Sequence, residues 1–288
     1  MLSIGIIALT LAIIVVFTVI SFKKNPVFYL SLAFVIVYLI ELYSYYQGSI
    51  LQFYEVFACK SNIFDLGIFT AIYVHSLNPG HIFFNILIFF LVGMPFAQKV
   101  GNFKFTSIFL VSGLLANIGY SLFLRMSGIN SFLIGASGAI FGIMGAFLIL
   151  YPNEEITMFL GPILMPRVKV KYAVLAFMVV EFLATLFWVN DNVAHGAHVI
   201  GAVSGALFAY ALRNYGVEKI RIKSLNYELI DELADTPELR SIAEKIKGER
   251  DEIIRSSWLL EFFRKKNGDA EFEGKYIKSG GKKYRIYR

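Results

Sequence analysis

Uncharged apolar runs of bilayer-spanning length recur along this chain, and they exclude most of what 288 residues can otherwise become. Roughly 20 apolar residues cross the hydrocarbon core as a helix. Backbone groups in hydrocarbon must be satisfied internally, so continuous apolar runs imply helices. Leu2–Phe22 is one such run and stops at Lys23-Lys24-Asn25-Pro26. It has no basic leading segment and no A-x-A-like site after it, so it reads as a retained helix rather than a signal peptide. Val27–Tyr46 is a second run, with Glu41 towards its far end, where a carboxylate can reach the interface. Further spans are expected near 81–97, 105–124, 134–151 and 172–190, and a weaker one near 196–212, seven in all. A composition that is 57% hydrophobic and 16% aromatic agrees with a polytopic membrane protein and with no ordinary soluble domain.

Between the second and third spans, Gly48–Gly80 is mixed, aromatic and interrupted by Glu55, Lys60 and Asp65. It reads as a long loop in or on the interface with short amphipathic helices; the alternative is a short span in Ile63–Tyr73. With Lys23 and Lys24 in the cytoplasm, Lys99, Lys104, Arg167, Lys169, Lys171 and Arg213 also fall inside, and only Lys60 and Arg125 fall outside. This positive-inside pattern puts the N-terminus outside and the C-terminus in the cytoplasm of a multi-pass cell-membrane protein. It also accounts for the net charge of +6 without a nucleic-acid partner. One cysteine, Cys59, allows neither an internal disulfide nor a cysteine metal cluster.

From Asn214 the character changes: residues 214–288 hold 17 of the 27 Lys and Arg and 14 of the 21 Asp and Glu. This is expected to be a soluble cytoplasmic region. Thr236-Pro237-Glu238 is a helix start, with N-cap, proline and acidic first turn. A second helix is expected over Asp251–Lys265, with Ile253, Ile254, Trp258, Leu259 and Phe262 as its apolar set, and a hairpin over Phe272–Tyr287. Nothing in the region spells out a function of its own.

Against this background, polar groups inside spans ask for a reason. Ile134–Phe147 (IGASGAIFGIMGAF) sets Ser137 between Gly135 and Gly138, with Gly142 and Gly145 following. A serine here ordinarily bonds back to a carbonyl one turn earlier or sits at a helix contact. Chemistry would need a base. His198 lies beside the stripe Ala197, Gly201, Gly205, on which another helix can pack at backbone distance. Gly138 and Gly142 form a matching stripe beside Ser137. Two such helices in contact would bring hydroxyl and imidazole together as nucleophile and general base. His81 and Asn85, four apart, share one helix face; they are either a satisfied structural pair or donors aimed at an oxyanion. His75 precedes them in the loop, and His195 stands at the edge of the last span as an interfacial residue or a second candidate base. Glu181, in the middle of a span, calls for a pairing or snorkelling partner, and Asn117 and Arg125 are equally unexplained. The four histidines have no carboxylate at ligand spacing, and no H-E-x-x-H is present, so neither metal nor cofactor is expected.

Taken together, His81-x-x-x-Asn85, Gly135-x-Ser137-Gly138 and Ala197-His198-x-x-Gly201-x-x-x-Gly205 resemble the rhomboid family of intramembrane serine proteases. They stand in family order, each at the start of a span and on one side of the membrane. The resemblance covers residues 27–213 and implies a six-helix core there. The whole chain is then expected to be an all-α polytopic membrane protein in which one extra N-terminal transmembrane helix at 1–26 and a small α+β cytoplasmic tail at 214–288 lie outside the resemblance. The resemblance implies a serine endopeptidase that cleaves transmembrane segments of membrane-protein substrates within the lipid bilayer. Ser137 resembles the nucleophile, and His198 the base of a dyad without an aspartate. His81 and Asn85 resemble the oxyanion donors, helped by the Ser137 N–H, and Phe141 the ring set against the imidazole. The loop 48–80 resembles the family's membrane-embedded first loop, and 172–190 with the loop after it the substrate gate and cap. Two features depart from the pattern: Ala97 stands where a glutamate often precedes the glycine at 101, and His75 and His81 are six apart rather than five. The contrasting expectation, a non-catalytic rhomboid-like binder of transmembrane clients, usually goes with loss of the serine or the histidine. A transporter would show internal repeats or several mid-span charges.

Overall fold

The computed structural model describes residues 2–160, 163–187, 193–213, 222–273 and 276–286. The end of the expected span at 188–190, the following residues 191–192, the linker 214–221 and the expected hairpin end at Tyr287 lie outside the described residues. The chain divides into two compact units, Met1–Arg213 and Asn214–Arg288.

Among the described residues, the spanning-length apolar runs of the first unit form helices. α1 (Ile4–Ser21) and α2 (Pro26–Tyr46) come first, and the Asn25 side chain caps α2 by accepting from the Phe28 N–H. α3 (Ile50–Phe57), the single turn α4 (Gly67–Thr70) and a 3-10 turn at Ala71–Tyr73 make up the expected interrupted loop. α5 (Pro79–Val100), α6 (Asn102–Ser127), α7 (Ser137–Leu150), α8 (Val170–Leu186) and α9 (His195–Leu212) follow. Among the described residues, α1, α2, α5, α6 and α9 are long and apolar enough to cross a bilayer. At 14 and 17 residues, α7 and α8 are shorter. The chain is a mostly helical, polytopic membrane protein. An antiparallel pair with no counterpart among the expected elements, β1 (Glu155–Leu160) and β2 (Ile163–Lys169), lies between α7 and α8.

Aromatic rings fill the centre of this unit. Phe34 of α2 packs on Phe89 of α5 at 5.9 Å, Phe89 on Phe109 of α6 at 5.2 Å, and Phe96 of α5 on Phe147 of α7 at 5.0 Å. Such pairs add to what burial alone contributes. The polar groups of α1 are used to hold it. Thr18 Oγ1 meets the Tyr73 hydroxyl at 2.6 Å, and Thr106 of α6 donates to the Ser21 carbonyl at 3.0 Å.

Glu41 does not reach the interface. It is fully buried and accepts the His75 backbone N–H at 3.0 Å. The loop supplies a donor that a buried carboxyl group needs. Asn117 is likewise absorbed by the loop, donating to the Ile68 carbonyl at 2.9 Å.

The second unit holds β3 (Ile222–Leu225), α10 (Tyr227–Leu233), α11 (Pro237–Gly248), α12 (Glu252–Asn267), β4 (Glu271–Glu273), β5 (Tyr276–Ser279) and β6 (Lys282–Ile286). Thr236 caps α11 by accepting from the Leu239 N–H. The expected hairpin is β5–β6, turned at Gly280 and Gly281, both with positive φ. It belongs to a sheet of order β3-β6-β5-β4, in which β3 pairs parallel to β6. Phe262, Phe263, Ile277 and Tyr284 are the centre of its core.

Candidate active site

The site forms where α7 and α9 touch backbone to backbone. A β-carbon on Gly201 would lie 2.1 Å from the Gly138 carbonyl oxygen, one on Gly205 2.1 Å from that of Gly142, and one on Gly145 2.0 Å from that of Ala202. Only glycine fits at these crossings, so the two small-residue stripes face each other. The approach sets two side chains opposite one another. Ser137, the first residue of α7, has Oγ 2.8 Å from His198 Nε2 in the first turn of α9. Phe141, one turn after the serine, stacks on the imidazole at 4.4 Å and 12° between planes, which fixes the ring's tilt.

The far side of the imidazole is occupied as well. His198 Nδ1 lies 2.8 Å from Glu181 Oε2 of α8, and His195 Nδ1 lies 2.7 Å from the same oxygen. All three side chains are largely buried, at 8% exposure for His198 and 12% for the other two. His195, expected as an interfacial residue or a second candidate base, turns its ring to Glu181. One expectation changes here. The histidines do have a carboxylate beside them: a ring nitrogen of each of His195 and His198 and a Glu181 oxygen all lie within 4.8 Å of one another. Sequence spacing sees only neighbours on one helix, whereas this carboxylate arrives from another.

His81 and Asn85 take different settings. The Ser76 backbone N–H donates to His81 Nδ1 at 3.1 Å. An Nδ1 that accepts leaves the ring proton on Nε2, which becomes a donor. Nε2 points to the glycine before the serine: a β-carbon on Gly135 would come within 2.8 Å of it and 3.8 Å of Ser137 Oγ. Gly135 itself has φ +121°, a conformation open to glycine. Asn85 is buried, and its amide donates to the His81 carbonyl at 2.8 Å, which leaves its second N–H available.

The loop before α5 is tied down from several sides. Its His75 N–H goes to Glu41, the Tyr54 hydroxyl donates to the His75 carbonyl at 3.3 Å, and the Tyr38 hydroxyl donates to the Leu77 carbonyl at 3.1 Å. Burial holds the His75 imidazole neutral, its pKa pushed down to about 3. The loop also reaches the serine segment: the Gly135 N–H donates to the Ala71 carbonyl at 3.0 Å, and Cys59 and Leu133 exchange backbone hydrogen bonds. Asn78 caps α5 by accepting from the Gly80 N–H, with Pro79 in its first turn.

A helical membrane bundle with a hydrogen-bonded serine and histidine where two glycine-lined helices meet defines a narrow class of protein. The rhomboid domain matches residues 65–215, more than half of the chain, and the chain belongs to the rhomboid family. It is similar to the protein YdcA of Bacillus subtilis, at 29% identity over 49% of this chain and 64% of that protein. It is similar to the rhomboid protease AarA of Providencia stuartii, at 29% identity over 48% of this chain and 52% of that one. It is also similar to the mitochondrial rhomboid protein 1 of Saccharomyces cerevisiae, at 28% identity over 50% of this chain and 41% of the yeast protein. The matched stretches thus span less than two thirds of each relative's length.

Proposed function

We propose that this protein is an intramembrane serine endopeptidase that cleaves transmembrane segments of membrane proteins with Ser137 and His198. The observation that carries this reading is the 2.8 Å contact from Ser137 Oγ to His198 Nε2 at a glycine-enforced helix crossing. A nucleophile within hydrogen-bond reach of an oriented base is what acyl transfer requires.

The chemistry runs as follows. Ser137 Oγ attacks the scissile carbonyl carbon while its proton passes to His198 Nε2. The carbonyl oxygen becomes an oxyanion, which takes hydrogen bonds from the His81 Nε2–H, the remaining Asn85 N–H and the Ser137 backbone N–H. At the start of α7 that last N–H has no intrahelical partner, and the helix dipole favours negative charge there. Collapse of the intermediate breaks the C–N bond, and the leaving amine takes the proton from Nε2. Water then attacks the Ser137 ester and gives its proton to His198, which returns it to Ser137 Oγ as the acid product leaves.

In this reading residues 27–213 are the protease core, α1 an added transmembrane helix and residues 214–288 a cytoplasmic appendage. The starts of α5, α7 and α9 face outward, as does the N-terminus. Gly135, Gly138, Gly201 and Gly205 support the site by permitting close approach, and Phe141 by stacking. The substrate helix enters from the bilayer and unwinds near the outer face. The test is cleavage of a single-span substrate in detergent by the purified protein and by its Ser137→Ala variant.

A further inference from the structure

Glu181 is the group in this site that a two-residue mechanism leaves unused. It lies in a helix that otherwise presents Val179, Val180, Phe182 and Leu183 outward, and an ionisable residue there is costly unless it has a task. Its Oε2 receives both His198 Nδ1 at 2.8 Å and His195 Nδ1 at 2.7 Å.

The proton inventory gives the task. For His198 Nε2 to accept the Ser137 proton, the neutral ring must carry its own proton on Nδ1. That N–H needs a buried acceptor, and Glu181 Oε2 stands at hydrogen-bond distance on that side of the ring. When Nε2 takes up the serine proton, the ring becomes a cation with a carboxylate beside it, in surroundings where Coulomb attraction is weakly screened. The Phe141 stack fixes the ring's tilt, Ser137 and Glu181 fix its two nitrogens, and His195 holds the carboxylate oxygen from a second direction.

We infer that Glu181 is a positioning residue for the proposed protease reaction: it selects the Nδ1–H tautomer of His198 and stabilises the imidazolium, making the Ser–His pair a Ser–His–Glu relay, with His195 steering the carboxylate. This inference rests on Ser137 and His198 being the reacting pair. It departs from the dyad that family resemblance implies, because the acid comes from α8, a helix that holds neither reacting residue.

Among the described residues, the titratable groups around the His198 ring are Glu181 of α8, His195 on its own helix and His81 of α5. Removing the Glu181 charge removes the one anion among them, so His198 gives up its proton more readily and the acidic limb of the rate profile moves to lower pH. The test is kcat, KM and the pH profile of kcat for the full-length protein and its Glu181→Gln and Glu181→Asp variants on a single-span substrate, with thermal unfolding alongside. Glu181→Gln is expected to lower kcat on the order of 100-fold with KM within twofold. Its acidic limb should shift down in pH, and Glu181→Asp should recover part of the rate. Wild-type kcat with an unmoved acidic limb in Glu181→Gln would overturn the inference, as would a loss confined to KM. A merely structural tie between α8 and α9 would change unfolding but not the limb. Should Glu181→Gln fail to fold, proton NMR of the 15N-histidine-labelled wild-type protein decides. A strongly downfield Nδ1 proton that disappears in His198→Ala supports the relay, and its absence at neutral pH and low temperature overturns it. Failure of the underlying reading looks different: Ser137→Ala would then still cleave.

Discussion

Gly201 presses against the Gly138 carbonyl so closely that a β-carbon at 201 would lie 2.1 Å from that oxygen. The contact is made of backbone, which cannot turn aside as a flexible side chain can. Helix separation at this point therefore sets the separation of Ser137 and His198, three residues from Gly201. Gly201→Ala should push α9 off α7 locally and lengthen the 2.8 Å Ser–His contact. A loss of roughly 1–3 kcal/mol in stability is expected from overpacking. Activity should fall at least tenfold, well beyond what the unfolded fraction explains. Thermal unfolding and initial rates on one preparation check this.

His81 is held as an Nε2–H donor by the Ser76 N–H on its other nitrogen. If it serves the oxyanion, its removal should be felt in the transition state and little in substrate binding. His81→Ala should reduce kcat by about 100- to 1,000-fold with KM nearly unchanged, the usual weight of one oxyanion donor. Steady-state kinetics separates the two parameters. A rise in KM alone would assign His81 to substrate binding.

His75 supplies a pH dependence of stability. Its folded pKa, about 3, is below the unfolded value near 6.5. In that window the unfolded chain binds a proton that the folded protein refuses. The contribution is therefore fully present above the unfolded pKa and is lost as pH falls towards the folded one. Stability should drop between pH 6.5 and 4 by up to about 1.4 kcal/mol per unit from this group. His75→Gln should flatten that slope. Unfolding midpoints at a series of pH values in one detergent measure it.

Phe141 holds the His198 ring by stacking at 4.4 Å. Phe141→Leu keeps most of the apolar volume and removes the flat face. A modest stability change, under about 1.5 kcal/mol, is expected. The larger effect should be in kcat, since a freer imidazole meets Ser137 less often in the right orientation.

Much of the fold could be read from the chain because apolar runs announce membrane helices directly. The Thr236 cap and the Gly280-Gly281 turn were equally local signals. The glycine stripes foretold the α7–α9 crossing, and with it the meeting of Ser137 and His198, because small residues every four positions have few other uses in a membrane helix. What stayed hidden was non-local. Glu181 stands 14 and 17 residues from the histidines it meets, on a different helix, and no spacing rule links them. Glu41 looked interfacial because its partner is a backbone N–H of the loop, which sequence does not mark as a donor. β3 pairs with β6 across most of the second unit, a contact made by tertiary packing alone. The β1–β2 pair at 155–169 falls between the expected spans 134–151 and 172–190, and its residues do not alternate strictly between apolar and polar, so no strand pattern marked it.

The central claim is that Ser137 is the nucleophile, and cleavage tests it most directly. The purified protein, Ser137→Ala and His198→Ala, matched for thermal unfolding, should be incubated with a single-span model substrate in detergent. The expected result is cleavage by the wild-type protein and none detectable by either variant. Undiminished cleavage by Ser137→Ala, folded as the wild type is, would contradict it.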